Sequence, residues 1–159
     1  MTLRVARLGA AIAIAGGLSA GAIAMSPGYG TARSDYIEHC AGCHGMTGSS
    51  APARVPLLKG RVGYFLCTQR GRDYLVRLPN VARAPVSDDA ALADLMNFVV
   101  FEIGRGSAPA GAKPFDVEEV AALRKAPLIG GSPIGERRKI VEYTLRHCPQ
   151  TPVALRSAT

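Results

Sequence analysis

The sequence predicts an all-α protein built as one globular domain. Its 159 residues suit a single domain with its own core. The clearest periodic segments repeat apolar residues at helical spacing, and no segment is convincing as a strand. The clearest helix runs from Ser87 to about Ile103, with Ser87 as its cap and Gly104 at its end. Helices therefore dominate the prediction.

Capping residues predict the other helices. Ser34 is placed to cap a first helix that ends near residue 44. Periodicity leaves 60–78 ambiguous, with one short helix around Val62 to Thr68 and a turn at 69–71.

Two more helices are predicted in the C-terminal part of the chain. Asp116 and Glu119 form a capping-box pair for a short helix. The last helix opens with Ser132 as cap and Pro133 in its first position, and it runs to His147. The Gly- and Pro-rich segment 104–114 is interpreted as a flexible linker.

Residues 1–24 have the pattern of a signal peptide. Arg4 and Arg7 precede an apolar run that closes on Ala24 in a small-x-small cleavage pattern. The alternative is an uncleaved membrane anchor, since the run approaches spanning length. We therefore expect an exported, periplasmic protein, with the membrane as a partner only if this segment is uncleaved.

The charge balance restricts the partners. The chain has 19 basic and 12 acidic residues, for a formal charge of +7, and removing Arg4 and Arg7 leaves +5. Nucleic acid is not expected outside the cytoplasm. The scattered basic residues favour docking to an acidic protein, while a merely solvated surface is the alternative.

The segment Cys40-Ala41-Gly42-Cys43-His44 carries the chemistry. At helical spacing, two thiols and an imidazole lie within one turn of each other, which is the pattern of covalent haem attachment. A zinc site needs further ligands close by, and a thioredoxin-like dithiol normally follows a strand. The motif therefore predicts one haem c, with thioethers at Cys40 and Cys43 and His44 as an iron ligand.

Three segments together resemble the class I monohaem cytochrome c family: 40–45 (CAGCHG), 56–60 (PLLKG) and 86–95 (VSDDAALADL). The resemblance implies a haem domain over residues 25–103, a Pro56 carbonyl that accepts from His44, and a crossing between the Ser34 and Ser87 helices. Residues 104–159 would form a linker and two additional helices packed on that domain. Segments 71–76 and 92–98 are also similar to small exported cytochromes that accompany quinoprotein amine or alcohol dehydrogenases.

The second axial ligand departs from the family pattern. Where the family usually places its distal methionine, this chain reads Leu78-Pro79-Asn80-Val81. Met96 is the first candidate for that ligand, although a methionine in an apolar stripe is more often core filler. The other candidates are Met46, His39 and His147, and an open, five-coordinate iron is the remaining alternative.

The function predicted from these patterns is electron transfer without enzymatic activity. The chain shows no acid–base pair beside the haem motif. Its donor would be a periplasmic redox protein, such as a quinoprotein dehydrogenase, and a further protein would accept the electron. The alternatives are a five-coordinate haem protein that senses gas or acts on peroxide, and a haem subunit of a larger dehydrogenase. Export also predicts a disulfide between Cys67 and Cys148, with two free thiols as the alternative.

Overall fold

The computed structural model describes residues 30–50 and 53–157, and within them every regular element is a helix. This confirms the all-α prediction. The elements are α1 (Gly30–His39), α2 (Ala41–His44), a 3₁₀ helix (Val62–Cys67), α3 (Gln69–Arg77), α4 (Pro79–Ala82), α5 (Asp89–Asn97), a π-helical continuation (Phe98–Ile103), α6 (Val117–Arg124), α7 (Pro133–His147) and a second 3₁₀ helix (Val153–Arg156). No helix in these two ranges is long and apolar enough to cross a bilayer. The predicted signal peptide lies outside the described residues.

The first helix begins earlier than predicted. Helix α1 covers Gly30–His39, and Ser34 lies inside it, with its hydroxyl donating to the Gly30 carbonyl at 3.2 Å. Serine in a helix can bond back to the carbonyl four residues earlier, so it does not mark a start by itself. Tyr36 is buried on this helix, with its ring 5.8 Å from that of Phe98. Helix α1 thus packs against α5 and its continuation, as the family resemblance implies.

Asp88 caps α5, so the prediction of Ser87 as cap was wrong by one residue. The Asp88 carboxylate accepts from the Ala91 N–H at 2.8 Å. Both residue types are good caps, and the sequence alone does not rank two adjacent candidates. The helix ends at Gly104 as predicted, where the Gly104 N–H bonds to the Val99 carbonyl five residues back.

The predicted turn at 69–71 was also wrong, because α3 starts there. The Thr68 hydroxyl accepts from the Gly71 N–H at 3.0 Å and caps the helix. Gly71 is needed for space, since a β-carbon at this position would come within 2.2 Å of the Phe65 carbonyl oxygen. The glycine that suggested a turn therefore permits close packing of α3 on the preceding 3₁₀ helix.

The segment 104–114 is fixed at both ends, although a flexible linker was predicted. Ser107 is buried and accepts from the Gly63 N–H at 2.9 Å. At the other end, the Asn97 side chain exchanges two hydrogen bonds with the Phe115 backbone, at 2.9 and 2.7 Å. A segment rich in Gly and Pro is thus held by buried polar contacts that sequence composition does not reveal.

The C-terminal helices share the core of the rest of the chain. Asp116 accepts from the Glu119 N–H at 2.8 Å, and Ser132 accepts from the Gly135 N–H at 3.3 Å, so both residues cap their helices as predicted. The Glu119 carboxylate bonds to Arg72 instead of completing the predicted capping box. Helix α6 packs on α3 and α5, and α7 packs on α3 and the first 3₁₀ helix. One apolar cluster therefore runs from Tyr36 to Leu155 across the predicted boundary at residue 104.

Candidate haem-binding site

The Cys-x-x-Cys-His motif forms one tight helical turn after α1. The Cys40 carbonyl accepts from the N–H groups of Cys43 and His44, at 3.2 and 2.9 Å, so all three side chains are held on the same turn. Cys40 is half-buried, Cys43 is exposed, and neither sulfur is in a disulfide. The turn therefore presents two thiols and one imidazole together.

His44 is oriented by the loop that follows it. Its Nδ1 lies 3.1 Å from the Pro56 carbonyl oxygen. An imidazole that donates from Nδ1 to a carbonyl keeps the lone pair of Nε2 available for a metal. The structure thus contains the contact that the family resemblance assigned to Pro56.

Ser50 is a further member of this site that the sequence did not predict. Its hydroxyl donates to the same Pro56 carbonyl at 2.9 Å, and its N–H donates to the His44 carbonyl at 2.8 Å. Ser50 is buried and has a positive φ of 57°, which is unusual for a serine. Neither feature has a signal in the sequence, because serine in a polar loop is common.

Glycines and one tyrosine fix the loop after the motif. The Tyr36 hydroxyl donates to the Gly45 carbonyl at 2.7 Å. The Gly48 carbonyl accepts from the N–H groups of Leu58 and Lys59, at 2.9 and 3.1 Å. A β-carbon on Gly48 would come within 2.4 Å of Ile103, so this turn lies directly against the end of the π-helical segment. These contacts hold the loop that carries Pro56.

Burial shifts the pKa values of two groups of the motif. It lowers the pKa of His44, while the hydrogen bond to Pro56 raises it in part. Burial also raises the pKa of Cys40 to about 11, with further contributions from Asp35 and Cys43. His44 is thus favoured as the neutral imidazole that binds metals, and Cys40 as a protonated thiol that resists oxidation to a disulfide.

This donor set fits a covalently attached haem better than zinc. Cys40, Cys43 and His44 share one turn, but within residues 30–50 and 53–157 no three His, Cys, Asp or Glu side chains are arranged so that they could hold one metal ion. A structural zinc ion needs four ligands, whereas a haem needs the two thiols and the Nε2 that the motif supplies. The absence of strands in the same ranges also removes the context of a thioredoxin-like dithiol.

The candidates for the second axial ligand are spread over the molecule. Met96 is buried in the apolar core, at 4% exposure, whereas Met46 is 60% exposed. His39 ends α1 immediately before Cys40. At the end of α7, His147 stacks on the Tyr143 ring at 4.0 Å, and its Nδ1 lies 2.8 Å from the Tyr143 carbonyl. The segment aligned with the family's methionine loop forms α4, with Leu78 before it.

Cys67 and Cys148 form a disulfide, with their Cα atoms 6.3 Å apart. The bond joins the end of the first 3₁₀ helix to the residue after α7. The predicted pairing is therefore confirmed, and it ties the C-terminal helix to the part of the chain that precedes α3.

The helical fold and the motif turn together resemble a cytochrome c-like, all-α haem domain. Two curated proteins support this class, both named cytochrome c-552, one from Thermus thermophilus and the other from a particular strain of that species. Each is 29% identical to this chain over 118 residues, covering 64% of this chain and 90% and 80% of the respective relatives. No family model matches the chain. The likeness to class I cytochromes c thus extends over most of the sequence.

Proposed function

We propose that this protein is an exported c-type cytochrome that carries single electrons through one covalently bound haem. The observation that carries the proposal is the position of His44, whose Nδ1 is 3.1 Å from the Pro56 carbonyl, on the same turn as two unbridged cysteines. The similarity to proteins named cytochrome c-552 supports the same function.

The residues of the turn have distinct roles in this proposal. Cys40 and Cys43 would hold the haem through thioethers, and His44 would bind its iron through Nε2. A bound haem supplies reversible one-electron oxidation and reduction. Pro56 fixes the orientation of the imidazole, and Ser50 holds the Pro56 carbonyl in place.

The proposal also covers the cellular location of the protein and its redox partners. The pattern of residues 1–24 supports periplasmic export with cleavage near Ala24. The formal charge of +5 that remains after Arg4 and Arg7 are removed supports an acidic protein partner. The weaker likeness at 71–76 and 92–98 supports a quinoprotein dehydrogenase as the donor. A second protein would accept the electron downstream.

Haem attachment can be tested directly with cysteine variants. The full chain would be produced with its leader in a bacterium that matures c-type cytochromes, and a denaturing gel would be stained for haem. Wild type is expected to retain haem on the gel and Cys40→Ala/Cys43→Ala to lose it. The matched control, Cys67→Ser/Cys148→Ser, removes the other two cysteines and is expected to keep it. A wild-type chain without covalent haem would refute the proposal.

A five-coordinate haem protein is the second candidate, because the segment 78–81 has no methionine. Carbon monoxide distinguishes the two: a six-coordinate carrier leaves the reduced spectrum unchanged, and an open site shifts it. Met96 stays the first candidate for the distal ligand, and that assignment predicts that Met96→Ala loses the sulfur-to-iron absorption band. A high-spin, carbon monoxide-sensitive spectrum would contradict the simple carrier.

A further inference from the structure

An open groove of about 370 Å³ lies between the start of α3 and the outer face of α7. The residues on α7 recur at one-turn spacing and so share one face of the helix. Four cations and one carboxylate line the groove. The lining residues are Arg70, Arg138, Lys139, Glu142, Tyr143 and Arg146.

Ion pairs leave three of these cations without a carboxylate. Glu142 is engaged by Arg156, at 2.7 and 3.1 Å. Lys139 pairs with Glu136 at 2.7 Å. In the part of the chain that the structure describes, Arg70, Arg138 and Arg146 form no ion pair with a carboxylate. The hydrogen bond from Arg156 lowers the pKa of the Glu142 carboxyl, and Arg146 is close enough to help lower it, but Arg146 forms no ion pair with Glu142. The groove therefore presents three guanidinium groups that are not directly paired with a carboxylate.

An aromatic ring holds one of these guanidinium groups in place. The Arg70 guanidinium lies 4.4 Å from the centre of the Tyr143 ring, and His147 stacks on the same tyrosine at 4.0 Å. Contact with a ring uses the face of a guanidinium and leaves its N–H donors available. Such donors match the two oxygens of a carboxylate, with which arginine forms paired hydrogen bonds.

We propose that this groove is the docking surface for a carboxylate-rich face of a protein partner. A membrane is disfavoured because the groove is concave and, among the described residues, its lining holds no exposed large apolar side chain, whereas a helix that lies in a bilayer surface inserts an apolar face. Among the described residues, the exposed large apolar ones are Ile37, Met46, Val117, Ile129, Ile134 and Val153. None of them lines the groove, and the nearest along α7 is Ile134, one turn before Arg138. The inference rests on the proposed function only in taking the partner to be a redox protein.

The test measures binding of a synthetic ten-glutamate peptide to the full-length, haem-loaded protein at about 0.1 M salt, where charges more than about 10 Å apart are largely screened. Replacing two groove cations, as Arg138→Glu/Arg146→Glu, is expected to weaken binding by about tenfold or more. Added salt is expected to weaken binding to wild type, because the contact is electrostatic. Equal binding by wild type and this variant would overturn the proposal.

The control reverses two cations elsewhere, as Lys113→Glu/Lys125→Glu. Both lysines are exposed, and Lys125 follows the end of α6 much as Arg146 lies in the last turn of α7. The two variants therefore change net charge by the same amount and each removes a cation at a helix end. The control is expected to bind the peptide within about twofold of wild type. An equal loss of peptide affinity in both variants would show that only net charge matters and would overturn the groove as the docking surface.

Two more measurements separate the remaining outcomes. Vesicles of phosphatidylglycerol and phosphatidylcholine test whether the groove binds a membrane instead. The proposal would be overturned if Arg138→Glu/Arg146→Glu weakened binding to the vesicles but not to the peptide. If Arg138→Glu/Arg146→Glu does not fold, Arg138→Gln/Arg146→Gln takes its place. The glutamine variant is also expected to weaken peptide binding. The absorption spectrum of each variant reports the bound haem separately, so a failure of the docking proposal is distinguishable from a failure of haem attachment.

Discussion

Arg72 of α3 and Glu119 of α6 form a bidentate ion pair, with Nε–Oε1 and Nη2–Oε2 distances of 2.5 and 2.6 Å. The same guanidinium donates to the carbonyls of Lys113 and Pro114, at 2.6 and 2.8 Å, and lies 4.1 Å from the Phe115 ring centre. The two side chains are only 12% and 20% exposed. One arginine therefore joins the C-terminal helices to the part of the chain that resembles class I cytochromes.

Arg72→Ala is expected to lower the free energy of unfolding by about 2–4 kcal/mol, because it leaves the Glu119 carboxylate and two carbonyls without their donor. Denaturant unfolding measures this change. The exposed Arg105–Glu102 pair is the matched control, since those side chains are 76% and 36% exposed. Arg105→Ala is expected to cost less than about 1 kcal/mol. Similar losses in the two variants would contradict the role given to Arg72.

This ion pair shows the limit of what the sequence could predict. The capping pair Asp116 and Glu119 was found from a spacing of three, and the Asp116 half of it is present. The Glu119 carboxylate instead bonds to Arg72, which lies 47 residues away. Local caps depend on neighbouring residues and are visible in the sequence, but a partner at that distance depends on how α3 and α6 pack.

The candidate site divides in the same way. The motif turn at 40–44 and the Pro56 contact were predicted, because their spacing or their family pattern is local in the chain. Ser50 was not predicted as part of the site. Its hydrogen bond to the Pro56 carbonyl depends on the loop conformation, which includes a positive φ at Ser50 itself. The second axial ligand is also not set by local spacing. A buried methionine at helical spacing, such as Met96, has the same pattern whether it fills the core or binds iron.

Ser50 provides a test of the loop that holds Pro56. Ser50→Ala and Ser50→Gly both remove the hydroxyl that donates to the Pro56 carbonyl at 2.9 Å, and each is expected to lose about 1 kcal/mol of stability for that bond. Glycine adopts the positive φ of 57° without strain, whereas alanine does not. Ser50→Gly is therefore expected to be more stable than Ser50→Ala by about 0.5–1 kcal/mol. If denaturant unfolding showed Ser50→Ala to be the more stable variant, backbone strain at residue 50 would be ruled out.

The Cys67–Cys148 disulfide provides a second test. It closes a loop with a sequence separation of 81, so the bond restricts the unfolded chain strongly. Cys67→Ser/Cys148→Ser is expected to lower the free energy of unfolding by about 2–4 kcal/mol. A reducing agent is expected to destabilise wild type by a similar amount and to leave the double variant unchanged. Destabilisation of the variant by the reducing agent would show that another bond is being broken.

The buried phenol of Tyr74 is expected to make stability depend on pH under alkaline conditions. It is 7% exposed, with its ring 5.5 Å from that of Phe65. Burial raises the pKa of Tyr74 to about 12; Arg137 lowers it in part and Glu136 raises it. The folded protein therefore keeps this proton between pH 10 and 12, where the unfolded chain has lost it. The stabilisation is complete below pH 10 and is lost as pH rises through that window, at up to about 1.4 kcal/mol per pH unit.

Burial also raises the pKa of Tyr36 to about 12, so two phenols contribute to the wild-type slope in this window. Tyr74→Phe is therefore expected to halve the wild-type slope. Denaturant unfolding at pH 9, 10, 11 and 12 measures the slope in wild type and variant. Tyr143→Phe is the control for removing a half-buried tyrosine from the outer face of α7. A slope that is as steep in Tyr74→Phe as in wild type would show that the Tyr74 phenol does not govern alkaline unfolding.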